Sequence, residues 1–323
     1  MEVYFDNSAT TRVLDSVRDV VVKVMTEDYG NPSAKHKKGM EAEQYVRQAA
    51  SRIAKTLKVK DKEILFTSGG TESNNMALIG TAMANQRAGK HIISTRIEHA
   101  SVYNPLAFLE QQGFEVTYLS VDSQGHISLE ELEASIRPDT ILVSVMYVNN
   151  EVGAIEPVEE IASLVHGKNP AILLHVDAIQ AYGKLVIHPK KQGIDLLSVS
   201  AHKFHGPKGV GFLFIDERVK IRPLLYGGGQ QKDLRSGTEN VPGIAGMGAA
   251  AWEMYTDHQK KVDYIISLKD YMIDRMEQLE GVTVNSLKGS QGAPQIVSAG
   301  FAGVRSEVLL HALEDKGIYV SSG

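Results

Sequence analysis

The middle of the chain alternates short unbroken apolar runs with stretches of helical spacing. Ile64–Thr67, His91–Thr95, Val116–Ser120, Thr140–Val148, Ala171–Val176, Leu196–Ser200 and Val210–Ile215 read as strands buried on both faces. Strands that alternate with helices predict an α/β fold, a mostly parallel sheet flanked by helices. Ser128 before Leu129-Glu130-Glu131 predicts a capped helix to about Ile136, which Pro138 ends. Pro157 suits the first turn of a helix to about Val165. A further helix is expected over Asn74–Gly80, after the turn Ser68-Gly69-Gly70-Thr71.

The pattern shifts near Gly243–Gly248. Beyond it, long helical stretches (Trp252 to Met276) precede a strand-like Val282-Thr283-Val284. Val308, Leu309, Ala312 and Leu313 then mark an amphipathic helix with Gly317 as its C-cap. The expected organisation is a large domain over residues 12–248 and a smaller α+β domain from 1–11 and 249–323.

Composition narrows the class without naming a chemistry. With 43% hydrophobic and 23% charged residues, 323 residues can build a large globular core. A net charge of −5 gives no global attraction to nucleic acid or anionic membranes. No apolar run approaches the roughly 18 residues of a membrane span, and the N-terminus lacks the basic start of a signal peptide. Cytoplasm is the expected location. The chain has no cysteine, which removes disulfides and thiolate metal sites.

Two residues point to chemistry. Lys203 lies on a Gly/Pro-bounded turn, Ser200-Ala201-His202-Lys203-Phe204-His205-Gly206-Pro207, between two apolar strands. Asp177 closes the apolar run before it, about one crossover away. Each has a plain reading, Lys203 as a surface lysine and Asp177 as a helix N-cap. Together they are what pyridoxal 5′-phosphate needs, an amine for a Schiff base and an anion for the pyridine nitrogen. Burial near a cation would bring Lys203 well below the usual lysine pKa of about 10.4. Gln180 could reach the cofactor's phenolic oxygen. In the glycine turn, Gly70 and Thr71 sit at a helix N-terminus where backbone amides can bind phosphate, with Ser200 as a further donor. The turn lacks the Gly-x-x-x-x-Gly-Lys spacing of nucleotide triphosphate loops. His202 and His205 lack the carboxylate or thiolate partners of a metal site, so no metal is expected.

The motifs extend along the whole chain: Tyr4-Phe5-Asp6-Asn7-Ser8-Ala9-Thr10-Thr11, Gly30-Asn31-Pro32-Ser33 with His36, Thr67–Asn75, Glu98-His99, Asn149-Asn150-Glu151-Val152-Gly153, and Arg235–Asn240. In this order they resemble the class V aminotransferase superfamily and, within it, the cysteine desulfurases of iron–sulfur cluster assembly. The resemblance implies a fold-type-I pyridoxal-phosphate enzyme with a mixed, mostly parallel seven-stranded sheet. It makes Lys203 and His99 catalytic, with His99 stacked over the cofactor. His202 and Asn150 become cofactor contacts beside Gly70, Thr71, Asp177, Gln180 and Ser200. Thr238 would reach the cofactor phosphate of the neighbouring subunit in a homodimer. The implied substrate is L-cysteine, and the implied partner is an iron–sulfur scaffold or other sulfur acceptor. In that family a Ser-Ser-Gly stretch like Ser321-Ser322-Gly323 leads into the loop with the nucleophilic cysteine, and a later segment supplies an arginine for the substrate carboxylate. Both are expected beyond Gly323, so the chain as given is expected to be inactive in sulfur transfer. An aminotransferase, a selenocysteine lyase, a non-catalytic scaffold that binds pyridoxal phosphate and an unrelated α/β binding protein remain alternatives.

Overall fold

The computed structural model describes residues 2–322; Met1 and Gly323, and with Gly323 the expected approach to the nucleophile loop, lie outside them. The strands are β1 (Val3–Tyr4), β2 (Ile64–Thr67), β3 (His91–Thr95), β4 (Glu115–Leu119), β5 (Thr140–Met146), β6 (Leu173–Asp177), β7 (Leu196–Ser200), β8 (Gly211–Ile215), β9 (Val282–Val284), β10 (Ala299–Phe301) and β11 (Ile318–Tyr319). Seven of them form the main sheet in the order β2-β8-β7-β6-β5-β3-β4. β8 runs antiparallel to both neighbours and the other pairings are parallel. Nearly every side chain of β2, β3 and β5 to β8 is buried, which is why these strands read as unbroken apolar runs. The sequence placed the ends of β4, β5, β6 and β8 one or two residues differently: apolar residues run beyond the ladder at β5, at the start of β6 and at β8, while the ladder takes in polar Glu115 in β4 and Asp177 in β6.

The helix expected at Asn74 starts earlier. One helical run leads from Gly70–Asn75 through a wider π turn, Met76–Gly80, into Thr81–Asn85. At Ser128 the hydroxyl accepts from Glu131 N (3.2 Å), but the Glu131 carboxylate turns to Ser120 N, so the reciprocal half of the capping box is absent. The stretch from Trp252 to Met276 is two helices, Val241–Tyr255 and His258–Met276, broken at Asp257, whose φ is +51°. The expected boundary at 248/249 falls inside the first of them. That helix packs on Asp15–Thr26 and Lys37–Leu57, and Ala249, Ala250 and Ala251 belong to the main core. Beyond Asp257, β9 pairs antiparallel with β10, and β11 pairs parallel with β1, tying the two ends of the chain together. Gly317 is left-handed, as a C-terminal glycine should be, but follows the helix Ser306–Glu314 by three residues. Among the described residues no helix is long and apolar enough to cross a membrane.

Candidate active site

β2, β3, β5, β6 and β7 all bring their carboxyl ends to one edge of the main sheet, the usual place for a ligand in an open α/β sheet. Gly211 begins β8 there, paired with both Thr67 and Ser200. A Cβ on Gly211 would stand 2.8 Å from Gly69 Cα, so only glycine lets the loop after β2 pass over the strand. Gly70 packs against the Ile179 side chain, whose Cδ1 lies 2.2 Å from where a Cβ would stand. The loop thus lies against both Ser200 and the residues after Asp177. The amides of Gly70 and Thr71 have no hydrogen-bond partner among the described residues, whereas Ser68 N is held by Glu72 Oε2 at 2.7 Å. Two free amides at the start of a continuous helical run could hold a phosphate.

Asp177 is 5% exposed at the end of β6. Its Oδ1 accepts from Ile179 N (2.9 Å) and its Oδ2 from Asn74 Nδ2 (2.8 Å). Burial raises its pKa; the Ile179 and Asn74 bonds and the charges of His99 and Lys203 pull the other way without cancelling it. A carboxylate in this setting lacks a full countercharge, which a protonated pyridine nitrogen would supply. Asn74 also donates to Ser101 Oγ (2.9 Å), and Ser101 in turn bonds His99 Nδ1 (2.8 Å). His99 caps the helix Ala100–Gln111, with Nδ1 accepting from Ser101 N at 3.1 Å. In the neutral ring the proton therefore sits on Nε2.

Lys203 Nζ donates to the Ser8 and Ala9 carbonyls, the latter at 2.9 Å. Burial lowers its pKa, opposed by Asp6 and Asp177. The Gln180 amide donates to the same Ser8 carbonyl (2.9 Å), while its Oε1 is buried without a partner. His202 turns to Thr10 Oγ1 (3.2 Å), and burial first, then the nearby lysines, pushes it down to about 4, so it is a neutral donor or acceptor near neutrality. Thr11 bonds the His202 carbonyl through both its amide and its hydroxyl, so the N-terminal segment straps the lysine turn in place.

Two expected residues make no hydrogen bond to these groups. The Asn150 side chain bonds the adjacent Glu151 at 2.6 Å. Thr238 is exposed on a loop, near Arg235, which pairs with Glu72 of its own chain at 2.8 Å. His202 and His205 face different partners, Thr10 and the Arg12 carbonyl. Among the described residues there is no cluster of three His, Asp or Glu side chains that could hold a metal.

Three contributors were missed. Asn74 sits in the quoted Thr67–Asn75 motif, but only its contact with Asp177 reveals a role. Glu98 is half-buried, with Oε2 enclosed and unpartnered; its Oε1 accepts from Thr95 Oγ1 and from the amide of Met146, the register partner of Asp177. Burial, then the Asp177 charge, pushes Glu98 up to about 8, which makes it a neutral acid near neutral pH. The Ser8 and Ala9 carbonyls are backbone groups and leave no sequence signal. The free Gly70 and Thr71 amides, the undercompensated Asp177, the buried Gln180 amide and the half-buried Lys203 amine together fit a phosphorylated pyridine aldehyde.

Comparison with known proteins gives the same direction. The family described as aminotransferase class-V matches residues 3–323. A cysteine desulfurase IscS of Dictyoglomus turgidum is 43% identical over 323 residues, covering 100% of this chain and 81% of that protein. One from Methanosarcina thermophila is 44% identical over 321 residues, covering 99% and 79%. A solved NifS-like protein superposes with a TM-score of 0.97 at 42% identity, over 100% of this chain and 88% of that one. A structure named SspA in complex with cysteine superposes at 0.86 with 33% identity, over 100% and 89%.

Proposed function

The chain belongs to the class-V aminotransferase family of fold-type-I pyridoxal-phosphate enzymes, and we propose that it acts on L-cysteine as a desulfurase. The product is alanine, and the sulfur passes to a thiolate and onward to an iron–sulfur scaffold or another sulfur acceptor. The observation behind this reading is the meeting of Lys203, Asp177 and Gln180 at adjoining strand ends, beside the unbonded amides of Gly70 and Thr71. Relatives named cysteine desulfurase along nearly the whole chain support the substrate.

Bound pyridoxal phosphate supplies an electron sink for negative charge developing at Cα of an amino acid. The residues here prepare that chemistry. Gly70, Thr71 and Ser200 would hold the phosphate. Asp177 would keep a proton on the pyridine nitrogen, and Gln180 would contact the phenolic oxygen. Lys203, its pKa lowered by burial, would be the amine that holds the cofactor aldehyde and would move a proton at the substrate Cα. His99, fixed through Nδ1, would lie against the cofactor ring and offer Nε2–H as a proton donor. Sulfur transfer then needs a thiolate to take the sulfur atom as a persulfide, leaving the electron pair of the broken C–S bond on carbon for protonation to alanine. None of the 323 residues is a cysteine, so the acceptor thiolate is not one of them. In the same reading a two-fold dimer brings Thr238 to the partner's cofactor phosphate, and His202 and Asn150 complete the cofactor's surroundings.

Borohydride reduction of the yellow holoprotein, followed by peptide mapping, tests the assignment. The label is expected on the peptide containing Lys203. A label on Lys208, or none after reconstitution, would refute it.

A further inference from the structure

A second lysine lies against the Lys203 turn. Lys184 is 7% exposed, and its Nζ donates to the carbonyl of Lys203. It belongs to the turn after β6, where Gly183 presses on the other turn so closely that a Cβ there would sit 2.9 Å from Phe204 Cβ. Phe204 is fully buried, edge-on to Tyr182 at 4.9 Å. The two turns are packed as one unit, and Lys184 is its polar link. No carboxylate pairs with Lys184 among the described residues. The charged or titratable groups that bear on it or feel its charge are Lys203, His202 and His205, all from the turn after β7. Around Lys203 itself the groups are Asp6 on the N-terminal segment, Asp177 on β6 and Lys184.

A buried, unpaired ammonium is costly, and replacing one by a neutral side chain is ordinarily neutral or stabilising. Its presence here therefore points to the reaction centre. We propose that Lys184 is a positioning residue for Lys203: it clamps the Lys203 carbonyl and sets an amine without a carboxylate partner against the turn whose nitrogen takes the cofactor. The effect is electrostatic as well as steric, because a nearby cation disfavours protonation of that nitrogen. Burial, then the Lys203 charge, pushes Lys184 itself down to about 7. Its charge is thus present on the acid side of neutrality and fades above it.

The inference rests on Lys203 as the cofactor lysine, and the test separates the two. Wild type, Lys184→Gln, Lys184→Met and Lys184→Arg are reconstituted with pyridoxal phosphate, and the pH midpoint of the cofactor's visible band is measured for each. Borohydride labelling is mapped in parallel. The glutamine variant keeps a donor to the Lys203 carbonyl but no charge, so its midpoint should rise by roughly one pH unit. Lys184→Met should show the same rise together with about tenfold weaker cofactor retention, because the clamp is lost as well. Lys184→Arg should restore the wild-type midpoint. Unchanged midpoints in the glutamine and methionine variants, with the label on Lys203, would overturn the role of Lys184 alone. A wild-type label away from Lys203 would overturn the site assignment and this inference with it.

Discussion

Replacing Asp177 by asparagine separates folding from chemistry at this site. The carboxylate has two protein partners, Ile179 N on Oδ1 and Asn74 Nδ2 on Oδ2. An amide keeps the first bond through its oxygen. Its NH₂ would then face the Asn74 NH₂, donor against donor. Asn74 can relieve this by rotating its own amide, since its Oδ1 is buried and has no partner. The rotation takes the Asn74 donor from Ser101 Oγ, whose hydroxyl still has His99 Nδ1 to bond. One neutral hydrogen bond is at risk, so the folding cost is about 1 kcal/mol. Removing the charged partner of a buried pyridinium is a different matter, and breaking such a pair costs about 3–5 kcal/mol. At about 1.4 kcal/mol per tenfold in rate, chemistry that depends on the protonated ring should fall roughly 10²- to 10⁴-fold.

The assay is deuterium exchange at Cα of a bound amino acid, read by NMR at equal cofactor content. It needs no thiol, so it isolates the part of the reaction served by residues of this chain. Urea unfolding of the variant should show a midpoint close to wild type. Exchange at the wild-type rate would refute the electronic role and leave Asp177 as a capping residue. A large loss of stability would refute the amide rotation and show that the Asp177–Asn74–Ser101 network is rigid.

Glu98→Gln should remove a pH-dependent weakness. Glu98 is pushed from an ordinary value of 4.5 up to about 8, so its contribution is fully present below pH 4.5 and lost as pH rises towards 8. The variant should gain stability relative to wild type at pH 8 and little at pH 4.5, as urea midpoints at the two pH values will show; equal gains would disprove the linkage. His175, buried between Ser144 and Ser198, is pushed by burial from 6.5 down to about 3. Its contribution is present above pH 6.5 and lost as pH falls towards 3. His175→Gln should flatten the acid limb of a stability–pH curve even where it lowers the plateau. Light scattering should report a dimer for the holoprotein, and Thr238→Ala should weaken cofactor retention several-fold; a monomer with full cofactor occupancy would contradict the shared site. With L-cysteine, these 323 residues should exchange the Cα proton yet release almost no alanine and sulfide, and rapid turnover would show that sulfur transfer uses a group other than a cysteine of this chain.

What could be read from sequence follows from how each feature is encoded. Strands buried on both faces appear as uninterrupted apolar runs, so β2, β3 and β7 were placed to the residue. The others slipped at their ends because the apolar run and the ladder end at different residues. Lys203 and Asp177 were legible because a lysine on a Gly/Pro-bounded turn and an acid closing an apolar run both break the local pattern. The break at Asp257 was not, because an aspartate in the left-handed region has no fixed signature. Nor was the continuity of Val241–Tyr255 across the glycines Gly243, Gly246 and Gly248, which read as an interruption. Two of these glycines are close-packing positions, where a Cβ would fall 2.6 Å from Val21 Cγ2 and 2.7 Å from Ala49 Cβ, so they bring helices together rather than end one.

The least legible part of the site is its support. Lys203 owes its position to the Ser8 and Ala9 carbonyls, to Thr11 on the His202 carbonyl and to Lys184 on its own carbonyl. These contacts join residues 8–11, 184 and 201–205, and most of the groups involved are backbone. A sequence displays side chains, and so it shows the reacting amine but not what aims it. The strap also links the two ends of the chain to the chemistry. Residues 8–11 follow β1 after only Phe5, Asp6 and Asn7, and β1 is held by β11 near the other end of the described chain. Movement of β11 therefore reaches the Lys203 turn through Phe5 and the turn that follows it, in which the Ala9 and Thr10 amides bond the Asp6 carbonyl. Weakening the β1–β11 pairing by Val3→Pro removes the Val3 amide that bonds the Gly317 carbonyl. It should loosen that strap and lower cofactor retention without touching any residue that meets the cofactor.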